Sequence, residues 1–262
     1  MTILDKIIKN KAQEVARSKE LKPIAELEKS TNFKRETISF KEELLRADQV
    51  GVIAEFKRQS PSKGVINDKV SVSDITNGYA NAGASALSVL TDHQFFGGSN
   101  VDVEEARRVN NIPILRKEFI IDEYQIIEAK AIGADVILLL ANVLDADQIK
   151  QFAQFAKSLG LESLLEVREK EELNCINEHV AAVGVNNRNL KDFNVNLSQS
   201  FDLVDLIPNE FVKVSESGLS EPKTIHELKQ VGYRGFLMGE TFMKTEDPAL
   251  ACSKFIEEVK KH

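Results

Sequence analysis

Short stretches rich in apolar and β-branched residues recur along the chain, one every 20 to 35 residues or so, roughly the length of a strand–helix unit. They predict strands at Val52–Phe56, Ala86–Leu90, Ile112–Leu115, Val136–Leu140, Ser163–Val167, Ala182–Val185, Phe211–Val214 and Gly235–Met238. The runs are continuous rather than alternating, as in parallel strands buried on both faces. Helical patterns fill the gaps. The clearest follows Leu140. Asp145 can cap it, Ile149, Phe152, Ala153, Ala156 and Leu159 share one face, and Gly160 supplies a stop. Others run from Asp122 through Tyr124, Ile127 and Ala131 to Gly133, from Glu221-Pro222 past Ile225 and Leu228 to Gly232, and from Pro248 past Ala251, Phe255 and Val259.

Such units can form an open doubly wound sheet or a closed barrel. No G-x-G-x-x-G follows the first strand and no G-x-x-x-x-G-K-[ST] occurs, so the nucleotide-binding open sheets lose support. Eight units in about 210 residues fit an α/β fold of the (β/α)8 (TIM) barrel type. Residues 1–47 stand outside this count and predict an N-terminal helical extension, within a single domain spanning 1–262. Thr2-x-x-Asp5 is a candidate capping box, and Leu4, Ile7, Ile8, Ala12 and Val15 form a helical stripe with the lysines and arginines on the solvated face. A second short helix is expected within Ser39–Ala47. The simplest arrangement packs the extension on one end of the barrel.

Composition narrows the class. Hydrophobic residues at 42% and charged residues at 29% are an ordinary globular balance, in a chain long enough to bury a sizeable core. The net charge of −7 argues against a nucleic-acid or anionic-membrane partner, while leaving room for a local basic site for a small anion. The run Val136–Ala141 is far short of the roughly 20 apolar residues of a membrane span. Asp5, Lys6, Lys9 and Lys11 interrupt any signal-like start. Cys175 and Cys252 lie far apart and suggest a reducing cytoplasm rather than a disulfide framework. His93, His179, His226 and His262 show no metal-ligand spacing.

The chemistry gathers at the predicted strand ends, where barrels of this type place catalytic groups. After the first strand come Glu55, Lys57 and a Ser60-Pro61-Ser62-Lys63-Gly64 loop. Glu55 and Lys57 are two apart and point the same way: into the barrel mouth, or outward as a surface ion pair. The third strand ends in Arg116-Lys117-Glu118, the fifth in Glu166-Val167, the sixth in Asn186-Asn187-Arg188, the seventh in Ser215-Glu216-Ser217-Gly218 and the eighth in Gly239-Glu240. The last two ends let backbone N–H groups approach a ligand closely, the usual phosphate position of such barrels. Lysines and glutamates facing one mouth beside a phosphate cradle suit acid–base chemistry on a small, phosphorylated, anionic substrate. A buried lysine with a lowered pKa would be the acid, and a desolvated glutamate with a raised pKa the base or shuttle.

The run Val52-Ile-Ala-Glu55-Phe-Lys57-Arg-Gln-Ser60-Pro61-Ser62-Lys63-Gly64 resembles the signature of the indole-3-glycerol-phosphate synthase family. Ser88–Asp92 with Phe95–Ser99, Leu115–Phe119, Leu165–Val167, Gly184–Leu190, Ser215–Gly218 and Met238–Glu240 resemble that family in order and spacing, so the likeness covers essentially the whole chain. It implies a decarboxylating ring closure and dehydration of 1-(2-carboxyphenylamino)-1-deoxyribulose 5-phosphate, with no cofactor or metal. By resemblance Lys117 is the general acid and Glu166 the base. Lys57 holds a substrate anion or shares the acid role, and Glu55 orients and tunes Lys57. Asn186 and Arg188 position the substrate, and Glu216 joins their polar network. Ser60 and Leu190 fall among the substrate contacts, and Phe96 and Phe119 face the aromatic ring or simply pack. Ser217, Gly218, Gly239 and the backbone of Glu240 hold the phosphate. The likeness also implies a cytoplasmic monomer, open to association with other tryptophan-pathway enzymes.

Glu240 stands where some relatives have serine, and its side chain is expected to turn away from the phosphate. Met238 is an apolar replacement of little consequence. A chain of this length is expected to lack the fused second barrel of some relatives. The rival enzyme is a sugar-phosphate isomerase of the same pathway, which would use a Cys or Asp acid–base pair at strand ends; no predicted strand ends in Cys here. A barrel that binds phosphate without catalysis is the other alternative, and the intact Glu55, Lys57, Lys117 and Glu166 speak against it. The loop from Gln59 to Asn67 is a candidate lid.

Overall fold

The computed structural model describes residues 2–189 and 193–261. Among these, eight parallel strands close into a barrel: β1 (Val52–Phe56), β2 (Ala86–Leu90), β3 (Ile114–Lys117), β4 (Val136–Leu140), β5 (Glu162–Val167), β6 (Ala182–Asn186), β7 (Val212–Glu216) and β8 (Gly235–Met238). Each strand pairs with its sequence neighbour, and β8 pairs with β1 to close the ring. The helices lie between strands, and the expected caps are in place. Asp145 caps Ala146–Ser158 through a capping box with Gln148, Asp122 caps Glu123–Ile132, and Pro222 and Pro248 open their helices.

Four strands differ from expectation at their ends; β5 begins one residue early, at Glu162. β3 begins at Ile114 rather than Ile112 because Pro113 has no N–H for the ladder. Its carbonyl still accepts from Leu87 N. β3, β6 and β7 run on past their apolar residues to Lys117, Asn186 and Glu216, because the inward positions at the mouth hold polar side chains.

Residues two apart share a face, so each strand sends alternate side chains inward. Ile53, Leu115, Leu138, Leu164, Ala182, Val212, Val214 and Leu237 fill the lower barrel, and Phe40 and Leu44 pack against them. The other face of the strands packs on the helices as a larger apolar layer.

The extension is not confined to one end. Its first helix, α1 (Ile3–Leu21), carries the expected Thr2/Asp5 capping box and lies at the C-terminal end of the barrel. There Lys11 meets Asp92 and Glu118, beyond β2 and β3, at 2.9 and 3.0 Å. The chain then runs down the helix Glu123–Ile132. Tyr124 Oη donates to the carbonyls of Ser18 and Lys22, and Ser30 Oγ to that of Ala131. At the opposite end Arg35 meets Asp135, Ser39 Oγ donates to Glu162, and the helix α2 (Phe40–Leu45) plugs the barrel floor. The stripe on α1 is also rotated: Ile7, Lys11 and Val15 are buried, whereas Ala12 is exposed. The buried lysine is tolerated because carboxylates surround it, and it joins the packed face rather than the solvated one.

Candidate active site

The inward residues at the C-terminal strand ends form one polar cluster. Glu55 belongs to β1 and Lys57 follows it by one pleat; Lys57 Nζ lies 2.7 Å from Glu55 Oε1. Ser88 Oγ of β2 donates to the other Glu55 oxygen at 3.2 Å. Lys117 Nζ of β3 lies 3.0 Å from Glu166 of β5 and 2.6 Å from Glu216 of β7. Asn186 Nδ2 of β6 donates to Glu166 Oε1 at 2.8 Å, while Asn186 Oδ1 accepts from Arg188 N at 2.9 Å. Glu55 is only 3% exposed, which excludes the surface ion pair. The other side chain of the third strand end, Arg116, points into the helical layer and pairs with Glu128.

Three carboxylates and two ammonium groups share this mouth, and their titration reflects it. Burial pulls Lys117 toward neutrality, but Glu166, Glu216 and Glu55 outweigh it, and the pKa is raised rather than lowered. The expectation of a lowered lysine fails because the flanking charges are negative. Burial likewise opposes ionisation of Glu55, yet Lys57 and then Lys117 hold its pKa below the ordinary value. Glu216 takes the strain: burial, with Glu166 and Glu55 against the pull of Lys117, pushes it up to about 8.

A cleft over the cluster is lined by Glu55, Lys57, Ser60, Phe96, Lys117, Phe119, Glu166, Asn186, Arg188, Glu216, Ser217 and Glu240. Gly218 and Gly239 line an adjoining lobe that shares Glu55, Lys57, Arg188, Ser217 and Glu240 with it. The residues expected at the site therefore converge, save Leu190, which lies outside the described residues. The Phe96 and Phe119 rings stand 6.0 Å apart. Ser217 and Gly218 both have positive φ, 69° and 76°, turning the backbone sharply at the lobe. Glu240 does not turn away. Its carboxylate faces the cleft, 3.3 Å from Lys63 Nζ and 3.4 Å from Arg188 Nη2, because those cations are the nearest partners for it.

The sequence pattern does not single out several residues of the site. Ile3, Leu4 and Ile7 of α1 reach the cleft wall, and Leu138, Leu140 and Phe193 join them. Asn187 lies outside the cleft. Fully buried, its Nδ2 donates to Ser215 Oγ and to the carbonyls of Glu216 and Ser217, clamping the strained turn. Alternation was a signal for it: beside an inward Asn186, Asn187 must point into the helical layer. Among the described residues no group of three or more His, Cys, Asp or Glu is arranged to hold a metal ion.

The family model for indole-3-glycerol phosphate synthase matches residues 4–255. The chain belongs to the indole-3-glycerol phosphate synthase family. Membership makes it a decarboxylating lyase of tryptophan biosynthesis, acting on a phosphorylated substrate. The indole-3-glycerol phosphate synthase of Bacteroides thetaiotaomicron is 46% identical over 257 residues, 98% of each chain. That of Burkholderia vietnamiensis is 40% identical over 255 residues, covering 96% of this chain and 98% of the relative. Among solved structures, a mutant tryptophan synthase α-subunit of Pyrococcus furiosus superposes with a TM-score of 0.59. At 17% identity over 82% of this chain and 99% of that one, it supports the barrel fold alone.

Proposed function

We propose a division of labour among the mouth residues for the synthase reaction. The aryl carbon of 1-(2-carboxyphenylamino)-1-deoxyribulose 5-phosphate attacks the ribulose ketone, carbon dioxide leaves, and water is then lost to give indole-3-glycerol phosphate. Lys117 gives a proton to the ketone oxygen as it becomes an alcohol. The observation that carries this is its ammonium held between Glu166 and Glu216 at 3.0 and 2.6 Å, which keeps it protonated and aimed into the cleft.

Glu166, hydrogen-bonded to Asn186, takes the proton from the ring-nitrogen side during dehydration. Glu55 orients Lys57, whose ammonium binds the substrate carboxylate or phosphate and stands near enough to share acid duty. Arg188 is suited to a carboxylate by its planar fork. Ser60 lines the entrance, and Phe96 and Phe119 flank the aromatic ring. The turn at Ser217-Gly218 and the backbone of Gly239 and Glu240 receive the phosphate, and the substrate anion draws Arg188 and Lys63 away from the Glu240 carboxylate.

Residues 1–262 act as one domain in this reading, with 1–47 as its extension. It is a cytoplasmic monomer, open to association with other enzymes of the pathway. Among the described residues no helix is long and apolar enough to cross a membrane.

The test is indole fluorescence on mixing protein with the carboxyphenylamino-deoxyribulose phosphate. The chain has 0 Trp, so product emission appears over a low background. A rise that disappears in Lys117→Ala is expected, with substrate binding retained. Near-normal turnover in that variant would overturn the acid assignment.

A further inference from the structure

The inward positions of β6 read Ala182, Gly184 and Asn186. Nothing in the backbone asks for glycine at 184. It is not among the residues of positive φ, and it sits in regular ladder between Glu166 of β5 and Val214 of β7. A glycine inside a strand weakens it, and often marks a place where something else must come close. Here that something is a carboxylate. A methyl group at 184 would stand 2.2 Å from Glu216 Oε1 and 3.2 Å from Glu216 Cδ. This Oε1 is buried without a hydrogen-bond partner, while Oε2 accepts from Lys117 at 2.6 Å. One oxygen of Glu216 rests in the glycine gap and the other holds the lysine.

We propose that Gly184 is a positioning residue for the synthase reaction: its missing side chain is the slot that seats the Glu216 carboxylate and thereby aims the Lys117 ammonium. The proposal rests on the reading of Lys117 as the general acid. Gly239 differs: a methyl there would stand 2.8 Å from Glu55 Oε1 but also 2.9 Å from Glu55 Cβ, so it would crowd the stem of that side chain and not its carboxylate alone. At 184 the obstructing atom is the end of a flexible side chain. Alanine would therefore swing the carboxylate out by more than about 1 Å rather than deform the barrel. A displacement of that size in a positioning element costs on the order of 100-fold in rate. The displaced carboxylate would move toward cleft water, and the burial that raises its pKa would weaken.

Gly184→Ala, Glu216→Ala and the double variant test the slot as a cycle. Gly184→Ala should lower kcat about 10- to 100-fold with little change in KM, and should cost nothing further once Glu216 is alanine. In protein carrying 13C-labelled glutamate, the Glu216 carboxyl should titrate near 8 in the parent chain and closer to the ordinary glutamate value in Gly184→Ala. An equal loss with and without Glu216, or an unmoved titration, overturns the proposal. If Gly184→Ala does not fold while the double variant does, the clash is demonstrated. If neither folds, the glycine is structural and the proposal falls. The titration needs no turnover, so a parent chain inactive on the substrate would count against the reaction and leave this test standing.

Discussion

Two clusters of buried charge sit at opposite ends of the barrel and are built on opposite principles. At the floor, Asp135 is fully buried and receives Arg35 at 2.7 Å, Arg107 at 2.9 Å, and the backbone N–H groups of Ile38 and Ile114. Each oxygen has two donors, and the carboxylate ties the extension to β3 and β4. At the mouth, Glu55, Glu166 and Glu216 outnumber Lys57 and Lys117, and one oxygen of Glu216 has no hydrogen-bond partner. The floor carboxylate is fully satisfied, although Arg35 Nε beside it has no hydrogen-bond partner, whereas at the mouth it is a carboxylate oxygen facing the cleft cluster that is left unpaired. The floor ties the extension to the barrel, and the mouth holds a carboxylate with one oxygen unpaired.

If that division is right, the largest effect comes from Lys117→Ala. Turnover should fall about 100- to 10,000-fold, the usual span for a general acid, with a smaller change in folding free energy than any floor variant shows. Kinetics and urea unfolding on the same sample decide it, and a loss of stability in step with activity would erase the contrast.

Asp135→Ala should behave in reverse. Leaving Arg107 buried without its partner should cost about 3–5 kcal/mol in urea unfolding, with kcat per folded molecule unchanged. A kcat that falls with the stability would mean the floor also shapes the site.

Glu216→Gln sharpens the comparison through pH. The folded-state pKa of Glu216 is raised, from 4.5 to about 8, so between those values the folded chain binds more protons than the unfolded one. Stability from this group is therefore full below pH 4.5 and is lost as pH rises to 8, by an amount on the order of a few kcal/mol. The glutamine variant lacks this slope, and parallel unfolding curves for the two proteins at pH 5 and 8 would contradict it. The smallest effect belongs to the exposed Lys19–Asp122 pair on the flank, where Lys19→Ala should change stability by less than about 1 kcal/mol and by nothing in high salt.

The barrel was legible because parallel strands buried on both faces write themselves as apolar runs, and β1, β2, β4 and β8 begin and end where those runs do. Strand ends were less legible where function replaced hydrophobicity: Lys117, Asn186 and Glu216 are inward strand residues that look like loop. The mouth itself could be read from those polar ends, since a two-residue period carries each side chain to a known face. Asp135 could not, because a lone acid before an apolar strand gives no hint of guanidinium groups from distant segments. Lys11 reads as solvated in the sequence for the same reason: its partners Asp92 and Glu118 lie far along the chain. The direction of the Lys117 pKa shift is not legible in the sequence, because its sign depends on which charges surround the group.

The clasp formed by the extension has a consequence for the order of assembly. Its first residues are made first, yet their partners are made much later. Ser30 bonds a carbonyl 101 residues on, and Ser39 a carboxylate 123 residues on. The floor plug at Phe40 and Leu44 has no complete socket until Val212 and Leu237 exist. During synthesis these partners follow the extension by roughly a hundred residues or more. Contacts of such long range close slowly. A complete socket for the floor plug therefore exists only once β8 is in place.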